Sequence, residues 1–349
     1  MIKLAIIGFG GMGEYHFHRL KRINEYEVVG VYDIDENRMM VAQNFNLKIY
    51  SSALEVAEDK TINTVLIATP NHLHFYYVDF FAKAHKNIIC EKPVALSTEE
   101  YLKMVDVCNK NNVLFTVHQN RRFDEDFLTI KEIIKSNKLG KIYKIESNVM
   151  GANGIPGGWR KQICYGGGMM LDWGVHLIDQ IVNLYPNRKI ESINSDFSYV
   201  LGFDVDDGFL TTLRFEDDLT VTVRVDTNSY INLPRWIIYG RDGTAVINNW
   251  SIEGKIVLPN YDAKVEIVGI EAGNGFTKTM AYRPHSSVIE EKLPKVLVDK
   301  DIFYKNFYQA LNKKEPLLIQ PDGVLKVLKL MELAKKSNDS KEILKNVLL

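Results

Sequence analysis

The first 120 residues alternate short apolar runs with longer amphipathic stretches. The runs Lys3–Ile7, Val28–Tyr32, Thr64–Ala68, Asn87–Cys90 and Val113–Val117 are largely apolar without strict alternation, as strands buried on both faces require. Between them, Met12–Arg22, Glu36–Phe45, Leu73–Ala84 and Thr98–Asn109 carry helical spacing. Ser97, with Glu100 three residues on, is a capping-box start for the last of these. This order predicts a doubly wound parallel α/β sheet with right-handed crossovers.

The pattern then changes. A helix is predicted over Phe123–Ser136, a strand over Lys141–Val149, a glycine-rich loop over 151–158 and a helix over about Gly168–Leu184. From Ile190 to Leu258 strands dominate; Leu219, Val221, Val223 and Val225 face one way, and Thr220, Thr222, Arg224 and Asp226 the other. Asp217-Asp218 and Asp242-Gly243 fit hairpin turns, and helices return over about Ile302–Asn312 and Asp322–Lys336. Residues 259–298 resist assignment, and Glu271–Pro284 reads as a long loop, functional or merely mobile. Two domains follow, 1–120 and 121–349, the second α+β with a large open, mostly antiparallel sheet.

Composition narrows the function. Lys and Arg total 43 against 44 for Asp and Glu, so no basic field exists to hold nucleic acid or an anionic membrane. Cys90, Cys108 and Cys164 are too scattered for a disulfide framework or a zinc pair. No apolar stretch approaches the ~20 residues of a spanning helix, and the start has no secretory core. A soluble, cytoplasmic protein is expected.

Gly8-Phe-Gly10-Gly11-Met12-Gly13 follows the first strand and opens a helix, and Asp33 ends the next strand. In that setting the glycines let backbone approach a pyrophosphate, the helix start attracts the anion, and the carboxylate reads ribose hydroxyls. Asp33 favours NAD over NADP, whose 2′-phosphate would meet like charge; alternatively it only caps the following helix. Polar groups recur after later strands: Thr69-Pro70-Asn71-His72-Leu-His74, Glu91-Lys92-Pro93, and His118 with Arg121-Arg122. They line one crevice at the carboxyl edge, where open α/β sheets hold ligands. Lys92 there can donate to a substrate hydroxyl, or be an ordinary turn lysine. Asp172 and His176, four apart after the Gly166–Gly168 run, share a face if helical; the carboxylate would then set the imidazole's tautomer and charge, unless the two are an ordinary surface pair. Trp159-Arg160 offers an aromatic face and a donor fork suited to sugars. A metal site from Asp172, His176, His72 and His74 is the minor alternative.

Taken together, Gly8–Gly13, Asp33, Ala68–His74, Glu91-Lys92-Pro93 and Gly166–His176 resemble, in order and spacing, the Gfo/Idh/MocA oxidoreductases. The resemblance implies a Rossmann domain followed by an open-sheet domain whose sheet often forms the subunit interface, giving a homodimer or homotetramer. It implies Lys92, Asp172 and His176 as catalytic residues. Gly8–Gly13, Asp33, Thr69, Pro70, Asn71, His74, Glu91 and Lys92 would serve the cofactor. His118, Arg122, Trp159 and Arg160 would join the catalytic three around substrate. An NAD-dependent dehydrogenase of a sugar or cyclitol is the leading expectation; a glycosidase that recycles NAD and a non-catalytic dinucleotide-binding regulator are the alternatives.

Overall fold

The computed structural model describes residues 1–264, 269–275, 277–280 and 283–347. Six parallel strands form the first layer: β1 (Ile2–Ile7), β2 (Tyr26–Tyr32), β3 (Lys48–Ile49), β4 (Thr64–Ile67), β5 (Asn87–Cys90) and β6 (Phe115–Val117), in the order β3-β2-β1-β4-β5-β6. The strand order reverses between β1 and β4, the switch point at which such sheets open a crevice. Every residue of β4 is buried, which explains why its sequence shows no alternation. The helices are α1 (Gly11–Leu20), α2 (Glu36–Gln43), α3 (Ala53–Glu58), α4 (His74–Lys83) and α5 (Thr98–Lys110). Ser97 caps α5 through the Glu100 N–H at 3.1 Å, as expected. The sequence reading missed β3 and α3, both too short to show a period.

After α6 (Glu125–Lys135), the chain builds a nine-stranded mixed sheet from β7 (Ile142–Met150), β8 (Ile190–Ser198), β9 (Gly208–Phe215), β10 (Thr220–Asp226), β11 (Trp236–Gly240), β12 (Gly243–Ile247) and β13 (Gly254–Pro259). A small ribbon, β14 (Ile270–Glu271) and β15 (Lys278–Thr279), precedes β16 (Val288–Glu291), which joins the large sheet at one edge, and β17 (Leu344–Lys345) joins at the other. Among the described residues of this sheet, only β7 and β10 pair in parallel. Among the described residues, 259–298 thus hold the short strands β14, β15 and β16, while part of the loop expected over Glu271–Pro284 lies outside them. The β11–β12 hairpin turns on Arg241-Asp242, one residue earlier than Asp242-Gly243.

Val221, Val223 and Val225 are buried, whereas Thr220, Thr222 and Arg224 are half-buried on the opposite face; α7 (Val175–Leu184) packs on α9 (Pro321–Ser340), and α9 on β8. The C-terminal helices also return to the first layer. Tyr304, on α8 (Ile302–Leu311), meets His16 of α1 at 2.8 Å, and its carbonyl accepts from Tyr26 of β2 at 2.7 Å. Glu332 of α9 accepts from the Thr98 N–H at 2.7 Å. The Rossmann sheet is therefore braced from the far end of the chain.

Candidate active site

Chain geometry at the end of β1 makes an anion cradle. Gly8 has φ +90°, and a Cβ there would lie 2.8 Å from the Ala68 carbonyl oxygen; one on Gly13 would collide with the Gly8 carbonyl. By contrast, Cβ positions at Gly10 and Gly11 have no atom within 4 Å. Gly10 is the N-cap of α1 without a side-chain cap, and Met12 stands in the first turn. The helix N–H groups thus face open space, which fits a dinucleotide pyrophosphate. Thr69 Oγ1, buried after β4 with no partner among the described residues, is a second polar group that fits a bound ligand.

Asp33 reaches back to this cradle. Its Oδ2 accepts from the Phe9 N–H at 2.5 Å and its Oδ1 from the Asp35 N–H at 2.9 Å. It does not cap α2; Asp35 does, through the Asn37 N–H at 2.9 Å. The Asp33 carboxylate braces the glycine loop and still has lone pairs to offer a ribose.

Several expected cofactor contacts instead fasten the crevice walls together. Asn71 donates through Nδ2 to the Gly166 carbonyl at 2.8 Å, tying the loop after β4 to the glycine run. Buried His74 places Nδ1 2.9 Å from the Pro93 carbonyl and Nε2 3.0 Å from that of Thr69, leaving neither nitrogen for a ligand. Glu91 is likewise enclosed: its Oε1 takes His16 Nε2 at 2.8 Å and His118 Nδ1 at 2.7 Å, while Oε2 accepts the Lys92 N–H at 3.1 Å. Burial alone would raise the Glu91 pKa, but the two histidines outweigh it and hold the carboxyl well below its ordinary value. The Asn71, His74 and Glu91 side chains and His118 Nδ1 thus hydrogen-bond to neighbouring groups of the crevice wall. His16, Glu91 and His118 bring ligand atoms within 4.8 Å of one another, a spacing a metal could use, yet these atoms already satisfy each other by hydrogen bonding. The Asp172–His176–His72–His74 metal alternative fails on His74, whose nitrogens are taken.

Beyond this wall, Lys92 projects its Nζ to Asp172, 3.1 Å from Oδ1 and 3.0 Å from the backbone carbonyl. Arg160 Nε stands 3.4 Å from Asp172 Oδ2, and the Arg160 guanidinium lies 4.6 Å over the Trp159 ring. Burial pushes the Asp172 pKa up, but Lys92 and Arg160 outweigh it and hold the carboxyl below its usual range. Asp172 makes no described hydrogen bond to His176, so the expected carboxylate–imidazole pair does not form. The cause is local: Met170–Gly174 is a π turn, whose i→i+5 bonding displaces residues four apart from a common face before α7 begins. His176 is 4% exposed and its Nδ1 is buried with no partner among the described residues. Burial, then the cations Lys92 and Arg121, push its pKa well below the ordinary imidazole value.

Arg122 does not reach the crevice. It forms a buried fork with Asp179, Nε to Oδ2 at 2.7 Å and Nη2 to Oδ1 at 2.6 Å. Its neighbour Arg121 lies at the site instead, 4.2 Å over Trp173 and 5.3 Å over Trp250. Trp173 is in turn 6.0 Å from the His176 ring. The sequence reading also missed Asp206, whose Oδ2 accepts the Met170 N–H at 2.7 Å and so caps the segment bearing Asp172. Burial pushes the Asp206 carboxyl up to about 6. No local motif announces it, since its partner is 36 residues away.

Comparison with known proteins gives this geometry its context. Residues 2–119 match the Gfo/Idh/MocA oxidoreductase family profile, described as an NAD-binding Rossmann fold, and residues 127–246 match that family's C-terminal domain. An NAD-binding protein from Listeria innocua superposes with a TM-score of 0.89 at 38% identity, covering 99% of this chain and 96% of that one. A scyllo-inositol 2-dehydrogenase (NADP+) from Bacillus subtilis is 25% identical over 97% of this chain and 94% of its own length. A myo-inositol 2-dehydrogenase from Thermotoga maritima is 24% identical over 99% and 98%.

Proposed function

The chain belongs to the Gfo/Idh/MocA family of NAD(P)-dependent oxidoreductases, and from that premise we propose that it oxidises a secondary hydroxyl of a sugar, sugar derivative or cyclitol. The observation that carries this reading is that Lys92, oriented by Asp172, stands at the crevice with His176, whose Nδ1 is buried with no partner among the described residues and whose pKa burial holds well below the ordinary imidazole value. Lys92 donates to the substrate hydroxyl oxygen and steadies the charge that grows there. His176 takes the hydroxyl proton, and Asp172 and Arg160 hold Lys92 in place. Gly8–Gly13 would hold the pyrophosphate and Asp33 the ribose of NAD, which when bound would supply the hydride acceptor. Positioned acid–base groups of this kind contribute about 10²–10⁴-fold.

NAD rather than NADP is the proposed cofactor, on the strength of the Asp33 carboxylate. The two inositol dehydrogenases among the relatives make cyclitols the first substrates to test. We further propose a homo-oligomer formed on the half-buried Thr220–Thr222–Arg224 face of the large sheet, working in a reducing, cytoplasmic setting suited to three free thiols. Light scattering that gives a monomer of about 40 kDa at micromolar concentration would remove the oligomer. Among the described residues no helix is long and apolar enough to cross a membrane.

The deciding experiment offers cyclitols, sugars, sugar phosphates and aryl glycosides with NAD, following reduced cofactor and aglycone together. Accumulating NADH is expected. Aglycone release without net NADH would replace the dehydrogenase with a hydrolytic enzyme that recycles its cofactor.

A further inference from the structure

A tryptophan pair, Trp173 and Trp250, stands beside the proposed base. Trp250 lies in the loop after β12, at the same end of the large sheet as the loop bearing Trp159 and Arg160. Trp250 is 51% exposed, yet two guanidinium groups lie close to its ring. Arg121 lies 5.3 Å from its ring centre and Arg235 lies 4.8 Å from it. Arg235 is itself fixed by Asp126 at 3.0 Å, Ser147 at 2.6 Å and Gln180 at 3.2 Å. Trp173 bridges the group to the chemistry, with its ring centre 6.0 Å from that of Trp250 and 6.0 Å from that of His176.

We propose that Trp250 and Trp173, clamped by Arg121, form the specificity wall of the substrate site and take the C–H face of a six-membered polyol ring. A large exposed apolar side chain on a soluble protein gains nothing from water, whereas a rigid indole can stack on a flat ring at little entropic cost. The guanidinium faces set the orientation of the indole before substrate arrives. Arg121 adds polar recognition. One of its arms is bound to Asp124 at 2.8 Å, but its Nε is buried with no partner among the described residues, which suits a hydroxyl oxygen on the ring held against the tryptophans. An open-chain polyol presents no flat C–H face and gains little from such a wall.

The inference rests on the dehydrogenase reading above, and the test separates the two. Wild type, Trp250→Ala and Trp250→Phe, with folding checked by circular dichroism, are assayed in NAD with myo-inositol and D-glucose as ring probes and sorbitol as the open-chain probe. Binding of each probe to the NADH-loaded protein is titrated in parallel. For a ring probe, Trp250→Ala should raise KM and the dissociation constant about tenfold, the size a stacking contact of about 1.4 kcal/mol gives, with kcat changed by less than about threefold. Trp250→Phe should recover most of that loss, and sorbitol should be affected little. If ring probes are turned over but Trp250→Ala leaves their KM unmoved, the wall is wrong and the dehydrogenase reading stands. If wild type neither binds nor oxidises a ring probe, or prefers sorbitol, the wall is overturned together with the ring-polyol substrate class.

Discussion

Lys92 crosses 80 positions of the chain to hold Asp172 by both its carboxylate and its backbone carbonyl. One cation thereby fixes the side chain and the backbone of the π turn leading to His176. Asp172 thus contacts Lys92 and makes no described hydrogen bond to the imidazole; in the proposed reaction this would divide the work, one pair serving the substrate oxygen and the histidine the proton.

His176→Ala and Lys92→Ala should each lower kcat/KM by about 10²-fold or more, with NADH affinity within about threefold of wild type. Steady-state kinetics with fluorescence titration of NADH checks both halves. Near-wild-type turnover in either variant would take that residue out of the reaction.

The acid side of the pH profile should lie lower than a free imidazole would place it. Burial and two nearby cations keep His176 neutral, so kcat/KM for oxidation should stay flat as pH falls from 8 through 6.5. Stability should show the same groups with a definite sign. His16, His74 and His176 are all depressed, mainly by burial, so the unfolded chain takes up protons below its own value near 6.5 while the folded one does not. Their contribution is therefore present above about pH 6.5 and lost as pH drops, at up to about 1.4 kcal/mol per pH unit for each. Asp206, raised to about 6, works in the opposite direction, as do Asp124 and Asp179, both raised by burial. Urea midpoints at pH 7.5, 6.5 and 5.5 should decline; a constant midpoint would contradict the neutral histidines.

Cofactor choice should follow Asp33. Two like charges 4 Å apart cost about 4 kcal/mol at an effective dielectric of 20, and even about 2 kcal/mol after solvent screening leaves roughly a thirtyfold preference for NAD. Because Asp33 also braces the Phe9 N–H, Asp33→Ser should lower rates with both cofactors, so the informative quantity is their kcat/KM ratio. That ratio should narrow by about tenfold or more; equal use of both by wild type would defeat the assignment.

Arg122→Ala should destabilise the protein by about 3–5 kcal/mol, because it strands the Asp179 carboxylate in the interior. Replacing both partners, Arg122→Met with Asp179→Leu, should be much milder. Urea unfolding compares the two, and a single-variant loss below about 1 kcal/mol would show that water reaches the pair.

The Rossmann half was legible because its evidence is local: buried strands read as apolar runs, and the glycine spacing meets a backbone requirement within six residues. The site was legible only as far as its loops. Arg121 and Arg122 are adjacent on the short helical turn Asn120–Phe123, yet one stacks on tryptophans and the other forks to Asp179. Which neighbour faces inward depends on partners 52 and 57 residues away, and no spacing encodes that. The Asp172–His176 expectation assumed 3.6 residues per turn where the chain makes a wider one. Glu91 looked like a ligand residue because its two histidines lie 75 and 27 positions from it.

The tie between Tyr304 and His16 constrains how the crevice can gape. The chain leaves the nucleotide layer once, after β6, and touches it again through α8 and α9. Asn71 to Gly166, Lys92 to Asp172 and Thr98 to Glu332 add further ties between the same two layers. Any motion that parts one of these pairs must strain the others, so the crevice that sets Lys92 against Asp172 is held as a frame and not at a single joint.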